Sequence, residues 1–119
     1  MTNYDLHTIY LNEFLRAANL VPAFEKVGKT IDNLVGIITE PDYMDHSLQK
    51  NSMCDYLFLF DNNYCVPGEL KGSAKGRTKA RSQLRQGKEF AQTYMAQRVD
   101  SGLLIVYNQG AYDVTKYEL

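Results

Sequence analysis

Two carboxylates and one lysine interrupt neighbouring runs that are otherwise apolar: Asp55 in MCDYLFLF (53–60), and Glu69 and Lys71 in YCVPGELK (64–71). A charge inside a buried strand is costly unless it is paired or coordinated, so residue types of this kind in such places ask for a partner. The intervening Asp61-Asn62-Asn63 has the chemistry of a hairpin turn. A turn centred on Asn62 sets Phe60 against Tyr64 and Asp55 against Glu69, with opposed Cβ atoms roughly 4.5–5.5 Å apart. Lys71, two residues past Glu69, shares its face because strand side chains alternate. Two carboxylates this close repel, and an all-oxygen donor set that includes the Leu70 carbonyl suits Mg²⁺, with Mn²⁺ as substitute. Such an ion acidifies a bound water and polarises a phosphate oxygen, the two needs of phosphodiester hydrolysis. Lys71 would orient the water, take its proton or stabilise charge on the phosphate.

The elements needed to hold this trio can be read along the chain. Leu6, Ile9, Tyr10, Phe14, Ala17 and Ala18 have three-and-four spacing, which predicts a helix over 3–19 followed by a short connection around Pro22. LVGIIT (34–39) predicts a strand, then a polar loop, then the hairpin. A helix is expected over 78–98, with Ala80, Leu84, Gly87, Ala91, Tyr94 and Met95 inward. LLIVY (103–107) predicts a strand, Asn108-Gln109-Gly110 a turn and AYDVTKYEL a final edge strand. Pro67 within the second hairpin strand predicts a bulge or kink. The result is an α/β fold of order αβββαβ with a further strand, a mixed central sheet flanked by helices in a three-layer sandwich.

The 119 residues suffice for a single domain, 1–119. With 45% apolar and 23% charged residues the chain belongs to the folded class. No apolar run is long enough to span a bilayer, and the first residues lack a basic region, so neither membrane nor secretion is expected. Two cysteines, Cys54 and Cys65, exclude a disulfide scaffold and point to a reducing, cytoplasmic setting. They are expected on opposite faces. The net charge of −1 conceals segregation: residues 70–88 hold seven basic side chains and no acid. That stretch begins at Lys71 and continues through Lys75, Arg77, Lys79, Arg81, Arg85 and Lys88, a pattern that favours a polyanion through counterion release.

Asp55, thirteen residues, then Glu69-Leu70-Lys71, on consecutive strands between two helices, resembles the PD-(D/E)XK nuclease superfamily, the restriction-endonuclease-like fold. Cys54 stands where that family has proline. The resemblance spans about residues 3–107 and implies that Asp55 and Glu69 are metal ligands with the Leu70 carbonyl, and that Lys71 is the catalytic lysine. Members often add an acid from the first helix, for which Glu13 is the candidate, following Leu6 and Tyr10 at i+7 and i+3. Members also place a glutamine from the helix after the motif, for which Gln83 fits best.

Other constellations are weaker. Gly72 and Gly76 do not have phosphate-loop spacing. Asp42, Asp45 and His46 lie in a polar loop, and neither His7 nor His46 pairs convincingly with a cysteine. The tyrosines Tyr10, Tyr56 and Tyr94 are expected to pack in the core. The function expected is a Mg²⁺-dependent endonuclease acting on DNA, structure-selective in the manner of a junction resolvase, with a homodimer as the compatible oligomer. The alternatives are a non-catalytic nucleic-acid-binding module of the same fold and an RNA endonuclease.

Overall fold

The computed structural model of this chain describes residues 3–39, 53–72 and 76–119. It is an α/β domain with three helices, α1 (Asn3–Phe14), α2 (Ala17–Glu25) and α3 (Arg77–Tyr94). Five strands, β1 (Leu34–Thr39), β2 (Tyr56–Phe60), β3 (Tyr64–Lys71), β4 (Ser101–Asn108) and β5 (Ala111–Glu118), form one sheet in the order β1-β2-β3-β4-β5. The β3–β4 pair is parallel and every other pair antiparallel. A parallel neighbour needs a crossover, which α3 supplies. Among the described residues no helix is long and apolar enough to cross a membrane.

The helix expected over 3–19 is two helices. Arg16 is extended (φ −76°, ψ 145°), and its carbonyl accepts from the N–H groups of Asn19 and Leu20 at 2.9 and 3.0 Å, starting a new helix. The break lets Leu11 and Phe14 of α1 and Leu20, Ala23 and Phe24 of α2 reach one apolar cluster with Tyr56, Phe58, Val66, Leu70 and Ile105. Pro22 lies inside α2 rather than in a connection. Its missing N–H costs one helical bond, and the acceptor it would have used, on Ala18, lies on an exposed residue.

A second cluster gathers Leu84 and Ala91 of α3 with Cys54, Leu57, Cys65 and Val99. Alternation along β2 and β3 thus delivers even-numbered apolar residues to α1 and α2 and odd-numbered ones to α3. Gly87 is where α3 comes closest: a Cβ there would collide with Cys54 Sγ and lie 3.1 Å from Pro67 Cβ. Both cysteines are free and buried, but they share this cluster instead of facing apart. Cys54 precedes β2, where the alternation of the ladder does not reach, and its thiol donates to the Tyr56 carbonyl at 3.2 Å.

The end of α3 also differs from expectation. Ala96 at φ 51° stops the helix, and the N–H of Gln97 turns back to the Ala91 carbonyl at 3.1 Å. Tyr94, expected inside, is 63% exposed on that last turn, whereas Tyr56 is buried and Tyr10 half-buried. The residues Asp42, Asp45, His46 and Lys75 lie outside the described residues.

Pro67 produces no bulge. The β2–β3 ladder runs without slip from Phe60↔Tyr64 to Tyr56↔Gly68, closed by Asn62 and Asn63 at φ 60° and 55°. The N–H of Cys65 points away from β2, to the Arg98 carbonyl at 2.9 Å, so the nitrogen of Pro67, two residues on, points the same way. There it falls in the gap between the isolated Tyr64↔Arg98 bridge and the first β3–β4 pair, Gly68↔Leu103, where no ladder bond is lost.

Candidate active site

The unslipped hairpin register brings Asp55 and Glu69 together. Asp55 N–H donates to the Gly68 carbonyl at 3.0 Å, and Asp55 Oδ2 accepts from the Leu70 N–H at 2.8 Å. Leu70 N–H points toward β2, opposite in direction to that of Cys65, and the carboxylate takes the place of a ladder partner just beyond the last paired residue. Asp55 is thereby fixed across the C-terminal end of β3, beside Glu69.

Glu69 is 2% exposed. Its Oε2 accepts from Lys71 Nζ at 3.1 Å, while Oε1 is buried with no hydrogen-bond partner among the described residues. Burial pushes the Glu69 carboxyl up to about 8, the Asp55 carboxylate pushes in the same direction, and Lys71 opposes them. Two acids within reach of one another therefore share too little positive charge, and either a proton or a cation must supply the rest.

Lys71 Nζ also donates to Gln83 Oε1 at 2.7 Å. Gln83 is buried on α3, and the stem of Lys71 is held on its other side by Gly76, where a Cβ would stand 3.1 Å from Lys71 Cδ. An ammonium has three donors. Among the described residues two are committed, to Glu69 and Gln83, leaving one for a ligand.

The two helix residues that the resemblance implies fare differently. Gln83, implied by the resemblance, is brought against Lys71. Glu13 is instead near Tyr112 and Tyr10: burial pushes the Tyr112 hydroxyl up to about 12, and the Glu13 carboxylate adds to the rise of both tyrosines. Among the described side chains of α1, His7 meets the site, its Nε2 3.2 Å from Asp55 Oδ1. The sequence held a signal for it. Leu11 and Phe14, buried at 3% and 0%, define the inner stripe of α1, and His7 precedes them by four and seven residues. The spacing that points to Glu13 runs through Leu6 and Tyr10, which are only partly covered.

The basic residues are not one continuous track from Lys71. Arg77, Arg81, Arg85 and Lys88 follow four-, four- and three-residue spacing and so share one flank of α3. Arg81 lies over the Tyr117 ring at 4.6 Å, and Lys88 Nζ donates to the Leu119 carbonyl at 2.7 Å, so this flank overlooks β5. Gln83 lies on the opposite flank, and Lys79, one turn earlier, is the basic side chain that shares it. Arg77, Lys79, Arg81 and Arg85 are exposed.

The donor set fits a hard divalent ion. Among the described residues no three His, Cys, Asp or Glu side chains form a group able to hold a metal. Mg²⁺, however, is commonly held by one or two carboxylates, with water and substrate phosphate completing the shell. Asp55 and the unpartnered Glu69 Oε1 supply that minimum. Compared with known proteins, the chain matches no family model, no curated protein and no solved structure. The assignment of function therefore rests on this geometry.

Proposed function

We propose that this chain is a metal-dependent endonuclease of the PD-(D/E)XK type, hydrolysing phosphodiester bonds in DNA on a three-layer, restriction-endonuclease-like fold. The observation that carries the reading is the buried Glu69 carboxylate, with Oε1 unpartnered, set between Asp55 and a lysine that Gln83 holds in place. A plain ion pair would satisfy Lys71 and Glu69 Oε2, but it leaves Oε1 buried without a partner beside the Asp55 carboxylate. Asp55, Glu69 and the Leu70 carbonyl would hold Mg²⁺ or Mn²⁺, which supplies an acidified water and a polarised phosphate oxygen. Lys71 would give its remaining donor to the attacked phosphate or the incoming water, and Gln83 would fix the direction of that donor. His7 would hold Asp55 in orientation from α1.

The site stands at the carboxyl end of β3, beside the start of α3, whose first turn contains Arg77 and no acid. A cation at a helix N-terminus is unfavourable by itself, and a bound phosphate would reverse the balance. Structure-selective cutting suits a chain with few insertions, and a homodimer would supply two sites for two strands. The test is cleavage of branched, single-stranded and duplex DNA, and of RNA, with Mg²⁺ or Mn²⁺. Metal-dependent cutting that disappears in Asp55→Ala supports the proposal, and no cutting of any substrate refutes it.

The arginine flank, set apart from the carboxylates, favours a second reading as a non-catalytic binding module. On either reading, Arg81→Ala with Arg85→Ala is expected to lower the slope of log affinity against log salt for duplex DNA by about 2. Titrations at several salt concentrations measure it, and an unchanged slope removes the flank from the contact surface.

A further inference from the structure

On the α1 face of the sheet a cleft of about 800 Å³ opens beside Asp55, lined by His7, Tyr10, Leu70, Tyr107, Asn108 and Gln109. Two of its walls are the groups that hold Asp55: His7 Nε2 on Oδ1, and the Leu70 N–H on Oδ2. Whatever fills the cleft is thus one hydrogen bond from Asp55, one of the proposed metal ligands. Tyr10 and Tyr107 are stacked, with centroids 4.0 Å apart and planes within 18°.

The rim is built by the β4–β5 turn. Asn108 pairs with Ala111, and the two residues between them, Gln109 and Gly110, stand at φ 49° and 86°. Positive φ at both central positions is the type I′ geometry, which asparagine and glycine adopt readily. Glutamine adopts it against crowding of its Cβ, and strain of that kind persists where the side chain has a use.

We propose that this cleft takes one unpaired nucleobase of the DNA substrate, from the nucleotide beside the scissile phosphate. The proposal rests on the nuclease reading and narrows its substrate class. A flat heteroaromatic ring with a hydrogen-bonding edge matches the cleft: aromatic rings form its wall, and the amides of Asn108 and Gln109 meet the edge. A base paired within a duplex cannot enter, so the substrate is single-stranded or opened at the cut, as at a branch or flap.

The test places 2-aminopurine at successive positions of a single-stranded DNA and measures fluorescence with the wild-type protein in EDTA. Quenching at one position is expected, lost in Tyr107→Leu. Gln109→Gly should weaken binding of the same DNA while raising the melting temperature, because the strain is relieved. Quenching at no position, or Gln109→Gly binding as tightly as wild type, overturns the proposal. A second arm adds Mg²⁺ and replaces each base in turn by an abasic site. Loss of the base that occupies the cleft should slow cleavage roughly 5- to 150-fold, the range of one stacking contact. Cutting that ignores every abasic position sinks the cleft and leaves the nuclease reading standing. Position-specific quenching with no cutting in Mg²⁺ or Mn²⁺ sinks the nuclease reading and keeps the cleft as a base-binding site.

Discussion

Lys71→Met should reduce metal-dependent cleavage about 100- to 1,000-fold, the range seen when one preorganised donor to developing charge is removed. Methionine keeps the length of the stem, so packing beside Gly76 survives while the ammonium is lost. The variant should still fold. Removing one partner of a buried ion pair ordinarily costs about 3–5 kcal/mol because the other charge is stranded. Here Glu69 is already raised to about 8 and can escape that penalty by taking a proton at neutral pH. Single-turnover rates at saturating protein separate the chemical step from DNA binding. Wild-type rates in Lys71→Met would exclude the lysine from the reaction. Gln83→Ala, which frees the same ammonium without removing it, should lose far less.

The second large effect concerns stability. In the metal-free protein Glu69 keeps its proton up to about pH 8, whereas in the unfolded chain it releases it near the ordinary value of 4.5. Between those limits the native state binds more protons than the unfolded state, so stability is fullest below about pH 4.5 and declines as pH rises toward 8. Asp100 acts in another window: its hydrogen bond from Tyr64 lowers its pKa, so its contribution is lost only as pH falls below the ordinary aspartate range. The expected result is a melting temperature lower by roughly 5–10 °C at pH 8 than at pH 5 in EDTA, corresponding to about 2 kcal/mol for a domain of this size. Millimolar Mg²⁺ should restore most of the loss at pH 8 and little at pH 5, because protons and metal compete for the same oxygens. Glu69→Gln should flatten both dependences. A wild-type melting temperature that does not fall between pH 5 and pH 8 in EDTA would count against the crowded-carboxylate account.

What the sequence made legible was the part governed by short-range rules. The turn chemistry at Asn62 and Asn63 set the hairpin register, and period-two alternation then placed Glu69 and Lys71 on one face. Gln83 is legible only through the resemblance, since the inward spacing of the helix names Leu84 beside it and not the glutamine itself. The misses come from choices among neighbours that differ by one helical step. On α1 the inner stripe runs through Leu11 and Phe14, which selects His7 over Glu13, but Leu6 and Tyr10 offered a competing stripe of similar polarity. The break at Arg16 has no glycine or proline to announce it, and Pro22 drew attention to the wrong place. The basic run looked continuous in one dimension, whereas a helix distributes it over two flanks. Cys54 could not be placed by alternation, because it lies just outside the strand whose rule was applied to it.

The parallel pairing of β3 with β4 covers only Gly68 to Lys71, the stretch that bears both the acid and the ammonium. Upstream, where Pro67 sits, the two chains touch at a single bridge. Firmness is thus concentrated under the reacting groups, and the strand that provides it, from Leu103 to Val106, is wholly hydrocarbon in its side chains. The alignment of the polar atoms is in this way delegated to greasy neighbours that themselves bear no charge.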